Sequence, residues 1–89
     1  MKYSLYIIHS DRLNSYYVGI SQNVNSRIES HNSSAKGWTR RGRPWQIAFT
    51  KEFENRQEAH KWEQWIKAQK SKKLIEKIIT GQFYWAHED

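Results

Sequence analysis

The sequence predicts an α/β domain with a small three-stranded antiparallel sheet flanked by helices. Two short segments rich in aromatic and β-branched residues, separated by a turn-like stretch, open the chain, and a third such segment follows later. Apolar residues recur at helical spacing after the second and third segments. The predicted order is strand, strand, helix, strand, helix, helix, and 89 residues leave room for one compact domain. We place this domain at residues 1–80 and treat 81–89 as a C-terminal tail.

The first part of the chain predicts a hairpin followed by a helix. Residues 3–8, YSLYII, predict a buried strand, SDRLNS predicts a turn, and residues 16–20, YYVGI, predict the second strand. In the segment SQNVNSRIESHN, Val24 and Ile28 stand at helical spacing. We therefore expect a helix there, capped by Ser21 and ending with that segment.

The middle of the chain predicts a loop and the third strand. The stretch SSAKGWTRRGRP contains two glycines, a proline and three arginines, which is typical of a loop. The segment WQIAFTKEF alternates well enough to predict a strand, with Ile47 and Phe49 on one face.

Two helices are predicted after the third strand. Asn55 followed by Glu58 is a variant of the capping box, so a helix should begin there. Ser71 is expected to cap a shorter helix, KKLIEKII, which Gly81 would end. The longer helix has a predicted buried stripe of Ala59, Trp62 and Ile66.

Composition narrows the class of protein. Five tryptophans and a 15% aromatic content favour a folded domain over a disordered basic tail. The formal charge of +6 points to a polyanionic partner, with nucleic acid ahead of an anionic membrane, although a basic domain without a specific partner has the same composition. The absence of cysteine excludes disulfides and thiolate metal sites. We find no signal-peptide pattern and no membrane-spanning segment, so we expect a cytoplasmic protein.

Polar groups beside the predicted apolar faces are candidate site residues. Glu63 falls next to the buried stripe of its helix, where it would either pair with an arginine or bind a hard dication. Arg27 and His31 stand four residues apart, on or near the inner face of the first helix. Ordinary alternatives are a snorkelling arginine and a helix-end histidine. Tyr6 and Tyr17, in neighbouring strands, would serve either as packing residues or in proton transfer.

The order of these residues resembles that of the GIY-YIG nuclease family. SLYII is followed by YVG, then by Arg27 ten residues after Tyr17, and later by Glu63 on a helix. The chain also carries YYVG, RIESHN, RPW, EFE and EAHKWEQWIK, which are similar to segments of the small single-domain bacterial members. The resemblance covers residues 3–79, and it implies an antiparallel three-stranded sheet flanked by helices and metal-dependent hydrolysis of DNA phosphodiesters.

The resemblance also implies roles for individual residues. Tyr6 and Tyr17 match the tyrosines of the first and second motifs, with Tyr17 expected to take the proton of the attacking water and Tyr6 or His31 to assist. Arg27 matches the catalytic arginine, and Glu63 matches the ligand of one Mg²⁺ or Mn²⁺ ion. His31 stands where members that act on branched DNA also carry a histidine. A further match is Gly19, which we expect to leave room for the catalytic helix or the scissile phosphate.

The chain departs from the family pattern at two motifs. The first motif is Ser4-Leu5-Tyr6, which keeps only the tyrosine, and Ile20 follows the second-motif glycine where many members have lysine or tyrosine. We find no counterpart of the asparagine that some members place after the metal-binding helix.

Basic residues are the expected DNA contacts, because phosphate pairing by lysine and arginine does not depend on sequence. The predicted set consists of Arg40, Arg41, Arg43, Lys67, Lys70, Lys72 and Lys73. Trp38 is a candidate for stacking on an unpaired base. The remaining tryptophans considered, Trp45, Trp62 and Trp65, are predicted to lie mainly in the core.

The function predicted from the sequence is a structure-selective DNA endonuclease in repair or recombination, with weak selectivity of its own or a partner protein that supplies it. Two alternatives stay open: a non-catalytic nucleic-acid-binding module with the same fold, and a protein–protein adaptor that uses exposed tryptophans and the FYW tail. A pure binder or adaptor has no need for Tyr17, Arg27 and Glu63 together.

Overall fold

The computed structural model describes residues 2–33 and 38–85. Strands β1 and β2 form a hairpin, helix α1 and a short 3-10 helix lead to β3, and helices α2 and α3 complete the order. This order confirms the predicted β-β-α-β-α-α arrangement. The bounds are Tyr3–Ser10 for β1, Ser15–Ser21 for β2, Val24–Ser33 for α1, Trp38–Gly42 for the 3-10 helix, Trp45–Phe53 for β3, Arg56–Gln69 for α2 and Lys72–Ile79 for α3.

The sheet has β1 in the centre, with β2 and β3 antiparallel on either side. Tyr6 lies directly opposite Gly19, and Ile8 lies opposite Tyr17. Because directly opposed residues share one face of a sheet, Tyr6 and Tyr17 point to the same side. The pairing of β1 with β2 therefore places the two tyrosines of the family motifs next to each other.

The two faces of the sheet pack against different helices. One face carries Leu5, Ile7 and Val18, which form the main core with buried residues of α2 and α3. The other face carries Tyr6 and Ile8, and these pack with Trp45, Tyr17 and the inner residues of α1. The predicted stripe of α2 is confirmed, since Ala59, Trp62 and Ile66 are all buried. Trp45, which packs with Tyr6 and Ile8 on the other face, is also buried, as predicted.

The prediction that Ile47 and Phe49 share a face is wrong. The register between β1 and β3 shifts between Ile7 and Ile8, so that Ile7 opposes Phe49 and Ile8 opposes Ile47. A residue inserted into one strand of an antiparallel pair changes the side to which the following side chains point. Phe49 therefore packs against the main core, whereas Ile47 lies on the opposite face and is exposed.

Helix caps follow the sequence predictions in α2 and α3 but not in α1. The Asn55 side chain accepts a hydrogen bond from the Glu58 N–H, and the Ser71 hydroxyl accepts one from the Leu74 N–H. Ser21 does not cap α1, because it is still the last residue of β2 and its hydroxyl bonds the backbone of Asn23. Asn23 takes the capping role, with Oδ1 accepting from the N–H of Ser26 at 3.0 Å.

The first residues after α3 return to the main core. Phe83 and Trp85 pack against it, with the ring centroid of Trp85 4.8 Å from that of Trp62. The prediction that Trp65 belongs to the core is wrong: it is 42% exposed and contacts Trp62 and Phe83 with one side only. Trp65 flanks the buried stripe of α2, so half of its ring faces outward. The division at residue 80 stays a prediction, and residues 86–89 lie outside the described part of the chain.

Within residues 2–33 and 38–85, no helix is both long enough and apolar enough to cross a membrane.

Candidate active site

Tyr6 lies at the centre of a polar cluster between the sheet and α1. It is only 1% exposed, and its ring passes over Gly19 on the neighbouring strand. A Cβ at position 19 would stand 2.5 Å from the Tyr6 hydroxyl oxygen and 2.6 Å from Cζ, which is closer than side chains tolerate. The phenol of Tyr6 therefore takes the space that a side chain at position 19 would need, where the sequence led us to expect the helix. A close approach of the scissile phosphate to Gly19 stays a prediction.

His31, in the last turn of α1, contacts the Tyr6 hydroxyl. The distance from Tyr6 Oη to His31 Nε2 is 3.1 Å. Burial lowers the pKa of His31 from its ordinary value of 6.5, and the neighbouring Arg27 guanidinium lowers it further. The imidazole is therefore neutral at pH 7. With its proton on Nδ1, it accepts a hydrogen bond from the phenol at Nε2.

Several neighbouring groups shift the pKa of the Tyr6 hydroxyl. Burial raises the pKa of its hydroxyl, and a hydrogen bond with the Arg27 side chain acts in the opposite direction. Tyr17 and Glu63 are close enough to raise the pKa of Tyr6 through electrostatic repulsion. Tyr6 is thus a protonated phenol at pH 7, and it lies within electrostatic reach of three other predicted site residues.

Tyr17 forms the outer wall of the same cluster. Its ring centroid lies 4.9 Å from that of His31, edge to face, and 6.4 Å from that of Tyr6. Tyr17 is half-buried, whereas Tyr6 is closed off from solvent. Of the two phenols, Tyr17 is therefore the one that can contact a water molecule entering from outside.

Glu63, on α2, is 8% exposed, and its charge is close enough to raise the pKa of Tyr6. Its two oxygens have different partners: Oε2 lies 3.1 Å from Lys67 Nζ, and Oε1 lies 3.3 Å from His60 Nδ1. The partner considered from the sequence was an arginine, but a lysine one helical turn later on α2 takes this place. Lys67 Nζ also stands 5.4 Å from the centroid of the Tyr17 ring, so it links the carboxylate to the phenol.

The carboxylate of Glu63 fits a hydrated hard dication. Among the residues that the structure describes, no group of three or more histidine, cysteine or acidic side chains forms a protein metal cage. Mg²⁺, however, is commonly bound through one or two carboxylates and completes its octahedral shell with water and substrate phosphate. Glu63 supplies such a carboxylate, provided that Lys67 or His60 releases one of its oxygens.

Arginines of the 3-10 helix and the segment after it have different environments. Arg43 is half-buried and donates to two backbone carbonyls, from Nε to Arg40 O at 3.1 Å and from Nη1 to Asn32 O at 3.3 Å. Arg43 therefore fastens the 3-10 helix to the end of α1. Arg40 and Arg41 are exposed, while residues 34–37 and the side chain of Trp38 lie outside the described part of the chain.

The four predicted DNA-binding lysines divide into two groups. Lys67, Lys70 and Lys72 line one groove, which runs beside β2 and the junction between α2 and α3. Lys73 is exposed but does not line that groove. Because Tyr17 also lines it, the groove opens onto the cluster around Tyr6.

Sequence reasoning missed two residues that shape the site. Asn32 binds the backbone of Trp45 twice, donating from Nδ2 to the carbonyl at 3.1 Å and accepting at Oδ1 from the N–H at 2.5 Å. This pairing holds the end of α1, and with it His31, against β3. His60 is the second missed residue, and its position three residues before Glu63 on α2 was the available signal.

Comparisons with a family model, a curated protein and a solved structure agree with one another. Residues 2–76 match the family model described as the GIY-YIG catalytic domain. UPF0213 protein DP2720 of Desulfotalea psychrophila (strain LSv54 / DSM 12343) is 45% identical over 53 residues, which are 57% of this chain and 48% of that protein. The match thus spans about half the length of this curated relative, 48%.

A solved structure matches over most of the fold. The solution NMR structure of UPF0213 protein BH0048 from Bacillus halodurans has a TM-score of 0.58 and 28% identity, covering 90% of this chain and 84% of that one. Its agreement with the sheet and helix order confirms the predicted fold class. Together with the family model, which matches well over half of the chain, it confirms the resemblance stated from the sequence. The chain belongs to the GIY-YIG family and is one of its small members.

Proposed function

We propose that this chain is a metal-dependent DNA endonuclease that hydrolyses phosphodiester bonds and prefers branched or flapped DNA, in repair or recombination. Membership of the GIY-YIG family supports the nuclease class and DNA as the substrate. The observation that carries the proposal is the gathering of four polar side chains from β2, α1 and α2 around one buried phenol of β1. The phenol is that of Tyr6, and the four residues around it are Tyr17, Arg27, His31 and Glu63.

Arg27 is proposed to stabilise the charge that grows on the phosphate oxygens during attack. Its guanidinium is always charged, and its fork of donors suits phosphate oxygens. Arg27 lies on the exposed side of α1, yet its side chain hydrogen-bonds the Tyr6 hydroxyl. The phenol therefore positions the arginine, which supports a role in transition-state stabilisation.

Proton transfer is assigned to Tyr17, with Tyr6 and His31 assisting. The water oxygen forms a bond to phosphorus while its proton leaves toward the Tyr17 phenol, and the bond from phosphorus to the 3′ oxygen breaks. Solvent then protonates that oxygen, so the products are a 5′-phosphate and a 3′-hydroxyl. Neutral His31, 3.1 Å from the Tyr6 hydroxyl, supplies the final acceptor for a proton relayed through the phenols.

Glu63 is the residue proposed to hold one Mg²⁺ or Mn²⁺ ion. When bound, the ion supplies Lewis-acid stabilisation of the phosphate and of the leaving 3′ oxygen. Lys67 holds one oxygen of this carboxylate in the structure, so metal binding requires the ammonium group to move aside. Lys67 is then available for a phosphate of the substrate.

A second candidate function is a nucleic-acid-binding module that keeps the fold without cutting. The ion pair between Glu63 and Lys67 favours it, because a carboxylate that is already neutralised by its own chain competes poorly for metal. The incomplete first motif, Ser4-Leu5-Tyr6, favours it as well.

A cleavage assay distinguishes the two functions. Wild type and Glu63→Gln are incubated with end-labelled linear, flapped and four-way DNA, in Mg²⁺, in Mn²⁺ or in EDTA. We expect metal-dependent nicking of the branched substrates, with a loss of at least about a hundredfold in Glu63→Gln. Glu76→Gln is the matched control, since Glu76 is an exposed carboxylate on α3.

Equal cleavage by both proteins in EDTA would contradict the endonuclease proposal and point to a contaminating nuclease. DNA binding without nicking by either protein would support the binding module instead. A cytoplasmic location and a protein partner that supplies selectivity both stay predictions.

A further inference from the structure

We infer that a groove next to the candidate active site holds an unpaired nucleic-acid strand, so that the substrate carries a single-stranded arm beside the cleaved phosphate. This inference rests on the proposed function and specifies its substrate. The lysine groove, as we name it, lies between β2 and the junction of α2 with α3. Its principal walls are formed by Tyr16, Tyr17, Ile66, Lys67, Lys70 and Lys72.

The lysine groove is continuous with the candidate active site. Tyr17 and Lys67 belong to both, because Tyr17 packs against His31 and Lys67 binds the Glu63 carboxylate. A strand that places a phosphate beside Tyr17 therefore also reaches the groove. No separate docking surface is needed to connect binding with cleavage.

Charge in the groove favours a phosphate chain. Three lysines line it, and none of the described residues that line it is acidic. Lys72 Nζ donates to the Asn14 carbonyl at 3.2 Å and stands 5.9 Å from the centroid of the Tyr16 ring. Lys67 makes a similar contact with Tyr17. Lysines that alternate with aromatic rings match the two components of a single strand, phosphates and unpaired bases.

Backbone conformation gives an independent reason to assign a role to Lys70. This residue caps the C-terminus of α2 with φ 48°, in the left-handed region. Glycine or asparagine usually occupies such a position, since other side chains are strained there. Lys70 keeps an exposed side chain in the groove despite that strain, and binding a phosphate is a role that glycine cannot perform.

The dimensions of the groove select a single strand over a duplex. Its volume is about 390 Å³, at the lower end of the range for pockets that hold one small ligand. One or two nucleotides occupy such a space. The groove is too small to hold a whole duplex, which can bring only its backbone phosphates to the lysines. A displaced single strand can bring both phosphates and unpaired bases against the lysines and tyrosine rings.

The test measures binding separately from cleavage. A short fluorescein-labelled oligothymidylate and a blunt duplex of the same length are titrated in EDTA, with fluorescence anisotropy as the readout, using proteins that all carry Glu63→Gln. We expect Lys70→Glu with Lys72→Glu to weaken oligothymidylate binding roughly tenfold or more, and to reduce the slope of log affinity against log salt by about 1.4, for two lost phosphate contacts. Binding of the duplex should change much less.

The matched control is Lys61→Glu with Lys77→Glu. It makes the same change in net charge at exposed positions outside the groove, and it should leave the preference for the single strand unchanged. All four positions are exposed, and thermal unfolding checks that each variant is folded.

Three outcomes would overturn the inference. These are an equal loss in both double variants, an equal loss for the duplex, and displacement of the oligothymidylate by inorganic phosphate alone at comparable concentration. The inference and the proposed function fail in different ways. If the groove variants selectively lose single-strand binding but the protein never nicks DNA, the role of the groove is supported and the endonuclease proposal is contradicted. If nicking depends on Glu63 but is unchanged in the groove variants, the endonuclease proposal is supported and the role of the groove is contradicted.

Discussion

The two faces of the sheet hold their helices by different kinds of contact. Helix α2 buries Ala59, Trp62, Glu63 and Ile66, whereas no residue of α1 is fully buried. The α2 face is therefore held by apolar area and edge-to-face aromatic contacts, and the α1 face by a smaller apolar cluster together with polar contacts around Tyr6. Since β1 alternates between the two, one strand supplies both the main core and the centre of the candidate active site. Substitutions of the apolar residues on the α2 face should mainly change stability, whereas substitutions around Tyr6 should also change cleavage.

The largest stability effect is expected from Trp62→Ala on the α2 face. Trp62 is 6% exposed and contacts Trp65, Phe83 and Trp85, so its removal leaves a cavity. We expect a loss of about 3 to 5 kcal/mol in the free energy of unfolding, measured by urea denaturation. Trp65→Ala, at a half-exposed ring of the same helix, should cost less than half as much. Equal losses would contradict the assignment of Trp62 to the core.

Gly19→Ala tests the α1 face through steric contact. The new Cβ would meet the Tyr6 ring, so the phenol has to move, at an expected cost of about 1 to 3 kcal/mol in stability. Cleavage should fall further than stability explains, because Arg27 and His31 both depend on the Tyr6 hydroxyl. A double-mutant cycle provides the control: with Tyr6→Leu already present, Gly19→Ala should cost little. Additive losses in stability would mean that the phenol does not determine the need for glycine.

Asn32→Ala tests how α1 is attached to β3. The change removes two hydrogen bonds to the Trp45 backbone, and we expect a loss of about 1 to 2 kcal/mol in the free energy of unfolding. Hydrogen exchange at the Trp45 amide should accelerate by more than the global loss predicts. Asn25→Ala, at an exposed position of α1, is the control and should have little effect on either measurement.

The smallest effect is expected from pH. Burial and Arg27 lower the pKa of folded His31 below 6.5, so the unfolded chain takes up the proton first as pH falls. Stability should therefore decrease from about pH 6.5 downward and level off below the folded pKa, while cleavage loses its neutral acceptor only as the pH falls through the lower pKa of folded His31. Urea denaturation at a series of pH values, comparing wild type with His31→Gln, isolates this contribution. An unchanged pH dependence in the variant would contradict it.

Much of the fold could be predicted because local patterns determine it. The order of elements, the stripe of α2 and the caps at Asn55 and Ser71 all follow from periodicity and capping chemistry within a few residues. The placement of Glu63 beside that stripe followed from helical geometry and agrees with its burial.

The unpredicted features depend on contacts between distant segments. The pairing of Asn32 with Trp45, the occupation of the space at Gly19 by Tyr6, and the joint contact of Lys67 with Glu63 and Tyr17 all require the packed structure. The Asn23 cap was missed for a different reason. Two capping residues stood two positions apart, and only the length of β2 decides between them.

The irregularity in β3 has a consequence for the layer in which each aromatic residue lies. Trp45 opposes Ser10 on the Tyr6 side, whereas Phe49 and Phe53 oppose Ile7 and Tyr3 on the other. In an unbroken strand, residues four apart would all point the same way. The one extra residue thus places the tryptophan in the layer that contains Tyr6 and the two phenylalanines in the main core. Deleting Ala48 would place either Trp45 or the two phenylalanines on the wrong face of the sheet.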